Sequence, residues 1–216
     1  MAYDEERPEI VELVPSSTRR LLDVGCATGR FAAELRGRFP EIELWGIDPT
    51  PPDNAAASIF DQRIVGRFPD DLPADEQFDC IVFNDVLEHM AEPWDALRRT
   101  HSLLRPRAAV IASIPNVRHI WVLRQLVLHG RWDYTSSGIL DRTHLRFFTR
   151  ATAGELFTTT GYHIERVAPI RIVGNTGKIA LVNKLLRGRL NDLFTERYAI
   201  VAREEFLTST SPAPER

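Results

Sequence analysis

Several features are scarce or missing in this chain. A basic excess is missing: 27 Lys and Arg face 30 Asp and Glu, for a formal net charge of −3. Binding to a phosphate backbone draws on clustered cations, so nucleic acid is not an expected partner. Cysteine occurs only twice, as Cys26 and Cys80, each beside an apolar strand-like run. Such usage excludes a disulfide framework and fits a reducing compartment, so the expected location is the cytoplasm. No apolar run approaches the roughly 20 residues that span a bilayer. The opening MAYDEERPEI is acidic and polar, unlike a secretory signal.

What is present is ordinary for a globular protein. The chain has 216 residues, 44% hydrophobic and 26% charged, enough for one domain with a substantial core. We expect a single domain over 1–206. The end, TSTSPAPER, reads as disordered, so 207–216 is expected to be a flexible tail.

Apolar runs alternate with helical patterns. RRLLDVG (19–25), IELWGID (42–48), FDCIVFND (78–85) and AAVIASIPN (108–116) read as strands. RFAAELRGRF (30–39), WDALRRTHSLL (94–104) and ATAGELFTTTG (151–161) read as helices, with Phe31, Leu35 and Phe39 on one face of the first. A further short helix and strand are expected within 53–65. YHIERVAPIRI (162–172) and ERYAIVAREE (196–205) read as late strands forming an antiparallel hairpin. Continuous rather than alternating apolar strands imply a parallel sheet covered on both faces. Ligands of such sheets bind outside the carboxyl ends of the strands. The polar strand ends, 23–29, 48, 84–89 and 115–116, should therefore converge on one edge.

Two stretches interrupt this pattern. Residues 117–150 are too long for a plain connection. They hold the amphipathic IWVLRQLVLHGRW, ending near His129, and then LDRTHLRFFTR. We expect them to form a lid over the site. A smaller insertion, 174–193, carries Lys178, Lys184, Arg187 and Arg189. Its basic face is either solvated or meets an anionic substrate or a membrane surface.

The turn LLDVGCATG, residues 21–29, asks which ligand it serves. A dinucleotide pyrophosphate wants G-x-G-x-x-G, but Ala27 and Arg30 stand where the later glycines belong. A dehydrogenase is therefore disfavoured. S-adenosylmethionine (SAM) has no pyrophosphate, and a D-x-G-x-x-x-G turn suffices for it.

LLDVGCATGRFAAEL resembles the nucleotide-binding turn of class I SAM-dependent methyltransferases. FDCIVFNDVLEHMAEPWDALRRTHSLLRP is similar to the following block of that superfamily. SIPNVRH, GRWDY and GILDRTHLRFFT resemble a bacterial subgroup associated with small-molecule or surface-polysaccharide biosynthesis. The resemblance covers roughly 18–167. It implies a Rossmann-like α/β fold: a mostly parallel seven-stranded sheet, an antiparallel last strand, helices on both faces and a lid after the fourth or fifth strand. It implies SAM as cofactor and methyl transfer to a small-molecule acceptor, with a hydroxyl oxygen, as on a sugar, preferred. A SAM-binding accessory protein acting through a partner is the alternative. A homodimer stays open.

The resemblance assigns SAM contacts to Asp23, Gly25, Cys26, Ala27, Gly29, Asp48, Phe68, Asn84 and Asp85. Asp48 suits the two ribose hydroxyls. Asp23 either orders the turn or meets the methionine ammonium. Cys26 reads chiefly as a small buried filler. Ala27 is tolerable in place of glycine if its φ is negative. Where an acid usually meets the adenine amino group, Gly66–Arg67 appears instead. Arg67 cannot accept a hydrogen bond, so Phe68 stacks on or covers adenine, or the correspondence shifts. LRPRAAV lacks the usual glycine pair, so an altered turn is expected there.

A hydroxyl acceptor benefits from a general base. His144 is the preferred candidate and His89 the second, with Asp85, Glu88 and Asp141 near them. Glu88 reads as structural, holding a backbone amide. Asn116, His119, Asp141 and Arg146 are expected to meet the acceptor. Trp121, Trp132, Tyr134 and Phe147 either wall the acceptor pocket or form the lid's own core. Asp85, Asp141 and Asn116 do not have metal-site spacing, so no metal is expected.

Overall fold

In the computed structural model, residues 7–52, 57–174 and 176–205 are described. The elements in order are α1 (Pro8–Val11), β1 (Arg20–Val24), α2 (Arg30–Arg38), β2 (Glu43–Asp48), β3 (Gln62–Val65) and β4 (Phe78–Asn84). There follow a 3-10 turn (Leu87–His89), α3 (Pro93–Thr100), β5 (Leu104–Pro115), α4 (Ile120–His129) and α5 (Arg150–Thr158). The chain continues through β6 (Tyr162–Ile172), α6 (Gly177–Leu185), α7 (Asn191–Phe194) and β7 (Thr195–Glu204). The strands form one seven-stranded sheet in the order β3-β2-β1-β4-β5-β7-β6. Pairings from β3 through β5 are parallel. β7 runs antiparallel to both β5 and β6. This is the Rossmann-like methyltransferase arrangement that the sequence implied.

Successive residues of the central strands serve two different cores. Leu22, Val24, Trp45, Ile47, Ile81, Phe83, Val110 and Ile200 pack on one face with Leu97 of α3 and Leu156 and Phe157 of α5. Leu21, Leu44, Cys80, Val82, Ile111 and Val201 pack on the other with Ile10 of α1 and Phe31 and Leu35 of α2. A strand in a parallel sheet points alternate side chains to opposite faces, and both faces here are covered. That is why its sequence reads as an unbroken apolar run. Each fully buried large side chain contributes about 1.5–3 kcal/mol.

The expected elements are present with shifted ends. β5 begins at Leu104 rather than 108, because the Leu-Arg-Pro-Arg stretch is itself extended. Where a longer or altered turn was expected, the strand runs on through an irregularity: Arg107 takes φ +66, and the β4–β5 register shifts between Phe78 and Cys80. α1 was not expected; the acidic start of the chain masked Ile10 and Val11, both buried. The strand expected within 53–65 is β3, while 53–56, within the stretch where a helix was expected, lie outside the described residues, as does the tail 207–216.

The strand order reverses between β1 and β4. Side by side there, their carboxyl ends open a crevice, which is where ligands of such sheets bind. The 117–149 connection leaves β5 beside it. Asn116 and Phe148 form a parallel bridge that pins both of its ends together.

Candidate active site

A cavity of about 970 Å³ opens at the carboxyl ends of β1, β2 and β4. Asp23, Gly25, Cys26, Ala27, Asp48, Phe68, Asn84, Asp85 and His89 all line it. Gly29 is not in the lining; it caps α2 in the left-handed region at φ +77. Asn116, His119, Asp141, His144 and Arg146 are also outside the lining.

The turn after β1 is held by β2. Gly25 N–H donates to the Ile47 carbonyl at 2.8 Å. A Cβ on Gly25 would lie 2.5 Å from a Val86 methyl, and its φ is +71. Glycine is therefore required twice over, by backbone conformation and by space. Ala27 departs from expectation: its φ is +40, not negative. Its amide donates to Asp48 Oδ2 at 3.0 Å, which holds it there. Asp48 Oδ1 accepts from the Thr50 amide at 2.7 Å. Both carboxylate oxygens are thus aimed by backbone donors, and each keeps lone-pair capacity.

Asp23 is held differently. It is 2% exposed, and its Oδ2 meets no hydrogen-bond donor. Burial, reinforced by the Asp48 charge and opposed by Arg63, pushes its pKa up to about 8. A buried carboxyl so placed favours a cation beside it. Asn84, half-buried, presents an amide whose nitrogen and oxygen both lack protein partners. Asp85 is occupied instead. It takes Arg7 at 2.6 Å and the Ser113 hydroxyl at 2.8 Å, with Arg197 at 3.7 Å.

Gly66 and Arg67, where the resemblance placed adenine, directly follow β3, and both line the cavity. Arg67 N–H donates to Asp71 Oδ2 at 2.7 Å. Phe68 packs edge-on against Phe83, with ring centroids 5.3 Å apart. Asp70 lines the cavity too and pairs with Arg99 at 2.6 Å. Sequence reasoning passed over Asp70, Arg7 and Thr50, because nothing in their spacing marks them.

The second half of the site is a clamp between residues 88–89 and 141–146. The Glu88 carbonyl accepts from the Leu145 amide at 2.8 Å and the Arg146 amide at 3.0 Å. His89 Nδ1 meets the Thr143 carbonyl at 3.2 Å, and His144 Nδ1 meets the Ile139 carbonyl at 3.0 Å. A carbonyl only accepts, so both Nδ1 atoms carry the proton. The two rings lie edge to face, 4.7 Å between centroids. Asp141 accepts from the Thr143 amide and hydroxyl, at 2.8 and 2.6 Å. Burial raises its pKa, but these hydrogen bonds outweigh it and the net shift is downward.

Glu88 is the surprise of this clamp. Its side chain was expected to hold a backbone amide, yet its main chain does that work. The carboxylate is 1% exposed, and neither oxygen receives a hydrogen bond from another residue. Burial, then the Asp85 charge, holds its pKa well above the usual carboxylate range. His144 Nε2 lies 4.0 Å from it. Among the described residues, Glu88, His89 and His144 each offer a ligand atom within 4.8 Å of the others. The D-x-x-E-H run at 85–89 was the sequence signal that could have found this.

The other acceptor candidates are engaged in structure. Asn116, 1% exposed, donates to the Asp192 and Thr195 carbonyls and accepts from the Arg118 amide. His119 caps α4 through Nδ1, and desolvation lowers its pKa. Arg146 donates to the Ala91 carbonyl and lies over the Trp94 ring. Trp132, Tyr134 and His144 all face Phe147, with centroids 5.2, 6.3 and 6.2 Å from it. Trp121 is 47% exposed. The side chains of Lys184, Arg187 and Arg189 are exposed.

Comparison with known proteins gives the family of the chain. A family described as "Methyltransferase domain" matches residues 3–167. The chain belongs to that family. This methyltransferase is 29% identical over 138 residues to an uncharacterised methyltransferase of Mycobacterium tuberculosis, covering 57% of this chain and 70% of that one. It is 24% identical over 219 residues to trans-aconitate 2-methyltransferase of Shigella dysenteriae, covering 95% and 86%. Its fold is similar to that of a SAM-dependent methyltransferase from Archaeoglobus fulgidus, at a TM-score of 0.64 and 17% identity, covering 94% and 96%.

The cofactor of the methyltransferase is SAM. The residues present fit it. The cavity has room for a nucleoside with an amino-acid tail, and the unpartnered Asp23 Oδ2 offers an acceptor for an ammonium. Among the described residues, no helix is long and apolar enough to cross a membrane.

Proposed function

We propose that this methyltransferase methylates a hydroxyl oxygen of a small-molecule acceptor, with sugars the first class to test. The observation that supports this reading most is the group formed by buried Glu88 and His144 with half-buried His89, which lines the cavity. An oxygen nucleophile needs its proton removed, whereas a neutral amine does not. His89 lines the cavity. With Nδ1 donating to the Thr143 carbonyl, its Nε2 carries a lone pair.

SAM supplies a methyl on a positively charged sulfur; carbon passes to the acceptor oxygen as the carbon–sulfur bond breaks and the hydroxyl proton departs. The protein positions and dehydrates. Asp48 holds the ribose hydroxyls, Asp23 the methionine ammonium and Asn84 the adjoining polar groups. Phe68 and the Gly66–Arg67 backbone border the adenine. His89 and its partners receive the proton. We assign the 117–149 connection as a lid on the acceptor side, since its clamp fixes His144 and Leu145 against Glu88. Trp121 and Tyr134, exposed on that connection, are the surfaces on which a sugar ring would stack.

The first test is a thermal-shift titration with SAM, S-adenosylhomocysteine and NAD. Ligand at 100 times its Kd stabilises the native state by about 2.7 kcal/mol. The two sulfur ligands should raise Tm by several degrees, and NAD should not. A screen of hydroxylated acceptors against amines and carboxylates, reading S-adenosylhomocysteine release, then tests the acceptor atom. Turnover confined to amines or carboxylates would overturn the hydroxyl assignment.

A further inference from the structure

We propose that Glu88, His89 and His144 form a binding site for a first-row divalent transition ion, which activates the acceptor. The inference rests on the hydroxyl-methylation reading for its role, but not for its existence.

The geometry carries the argument. Each of the three side chains offers a ligand atom within 4.8 Å of the others, and the Glu88 oxygen lies 4.0 Å from His144 Nε2. Ligands about 2.1 Å from a tetrahedral zinc sit about 3.4 Å apart, so the Glu88–His144 separation must close by about 0.6 Å and the widest by up to about 1.4 Å, within reach of side-chain rotation. Both imidazoles are prepared for this role. A metal-bound histidine usually donates its other N–H to a carbonyl or carboxylate, which fixes the ring and its tautomer. His89 does so to Thr143, and His144 to Ile139.

Glu88 supplies an independent reason. A carboxylate 1% exposed whose oxygens receive nothing from other residues is costly to keep. A bound cation is the partner its surroundings lack. The backbone spends four hydrogen bonds on holding the group together: Leu145 and Arg146 to the Glu88 carbonyl, His89 to Thr143, and His144 to Ile139. Two imidazoles and one carboxylate suit Zn²⁺, Mn²⁺, Co²⁺ or Ni²⁺, and leave further coordination positions open. Two nitrogen ligands argue against Mg²⁺ and Ca²⁺, which take oxygen. Because His89 lines the cavity, an acceptor hydroxyl can reach an open position. There the ion lowers the hydroxyl pKa and the proton leaves to solvent; with the ion bound, this replaces direct transfer to His89, whose Nε2 lone pair is then the ligand. No oxidant or reductant is needed.

The experiment is isothermal titration of the EDTA-stripped, desalted full chain with Zn²⁺, Mn²⁺, Ni²⁺ and Mg²⁺, for wild type, Glu88→Gln and His144→Ala. S-adenosylhomocysteine thermal shifts are read in parallel as a check on folding and on the cofactor site. The expected result is one equivalent of a transition ion, weakened at least about 30-fold in both variants, with the S-adenosylhomocysteine shift retained and Mg²⁺ bound more weakly. No binding by wild type, or equal binding by the variants, overturns the site. Methyl transfer that persists in EDTA, with no ion bound, overturns the activating role while leaving the hydroxyl reading intact. Stoichiometric binding without turnover of any hydroxylated acceptor upholds the site and removes the hydroxyl reading instead.

Discussion

Asp48, ending β2, and Glu88, just beyond β4, are both buried acids, and they are held in opposite ways. Asp48 receives two backbone amides, one on each oxygen, from the turn it braces and from Thr50. Glu88 receives none from other residues, although its carbonyl anchors a distant loop. The first region, 23–29 with 48–50, is a short-range device in which backbone amides fix a carboxylate at the cavity wall. The second, 85–89 with 141–146, joins residues more than fifty positions apart around an acid still short of a partner. Backbone donors fix the one carboxylate; the other lies beside two imidazoles without a donor of its own.

The contrast can be broken from either side. Asp48→Ala removes charge-assisted hydrogen bonds, each worth about 1.5–3 kcal/mol. S-adenosylhomocysteine affinity, measured calorimetrically, should fall about 100-fold or more. Glu88→Gln should do the reverse: cofactor affinity within about threefold, but kcat/KM down by about 100-fold, or about 2.7 kcal/mol in the transition state. If the two variants shared one phenotype, the division into two regions would be wrong.

Gly25→Ala is a smaller perturbation. It meets Val86 at 2.5 Å in a positive-φ position, and should cost about 1–3 kcal/mol by denaturant unfolding. Adding Val86→Ala should recover the steric part and leave the backbone part, so the two changes will not be additive.

Asp23 sharpens the comparison through pH. Its folded pKa, about 8, lies above its ordinary value. The folded state therefore binds the proton more tightly than the unfolded chain. That contribution to stability is full below about pH 4 and is lost as pH rises towards 8. Without ligand, Tm should fall between pH 6 and 8.5 more steeply in wild type than in Asp23→Asn. The shift produced by S-adenosylhomocysteine should grow over the same range in wild type, because its ammonium favours the ionised acid. Ala27→Gly is the mildest change. Relief of φ +40 is offset by a more flexible unfolded chain, so a gain of no more than about 1 kcal/mol is expected.

The same contrast explains what could be read in advance. The turn after β1 and the acid ending β2 are local, and their residue types follow from backbone conformation and hydrogen-bond demand. The sheet was legible because continuous apolar runs have one economical packing. α1 was missed because two apolar residues among acids make no periodic signal. The positive φ of Ala27 was missed because alanine does not announce it. Glu88 was misjudged because its environment is built by Thr143 to Arg146, and spacing along the chain says little about which distant loop returns. Asn116 shows the converse: its position at a strand end suggested an acceptor contact, but three hydrogen bonds tie it to Arg118, Asp192 and Thr195.

The placement of β7 has a consequence for synthesis. Among the described residues β6 pairs only with β7, and β7 lies between it and β5. Until Thr195–Glu204 leaves the ribosome, β5 has no neighbour on that side and β6 has none at all. The cofactor half of the sheet, β3-β2-β1-β4-β5, can pair before then. A nascent chain halted ahead of Thr195 should therefore carry a nearly finished nucleoside crevice beside an unpaired apolar edge, a state that invites chaperone capture and association with other unfinished chains.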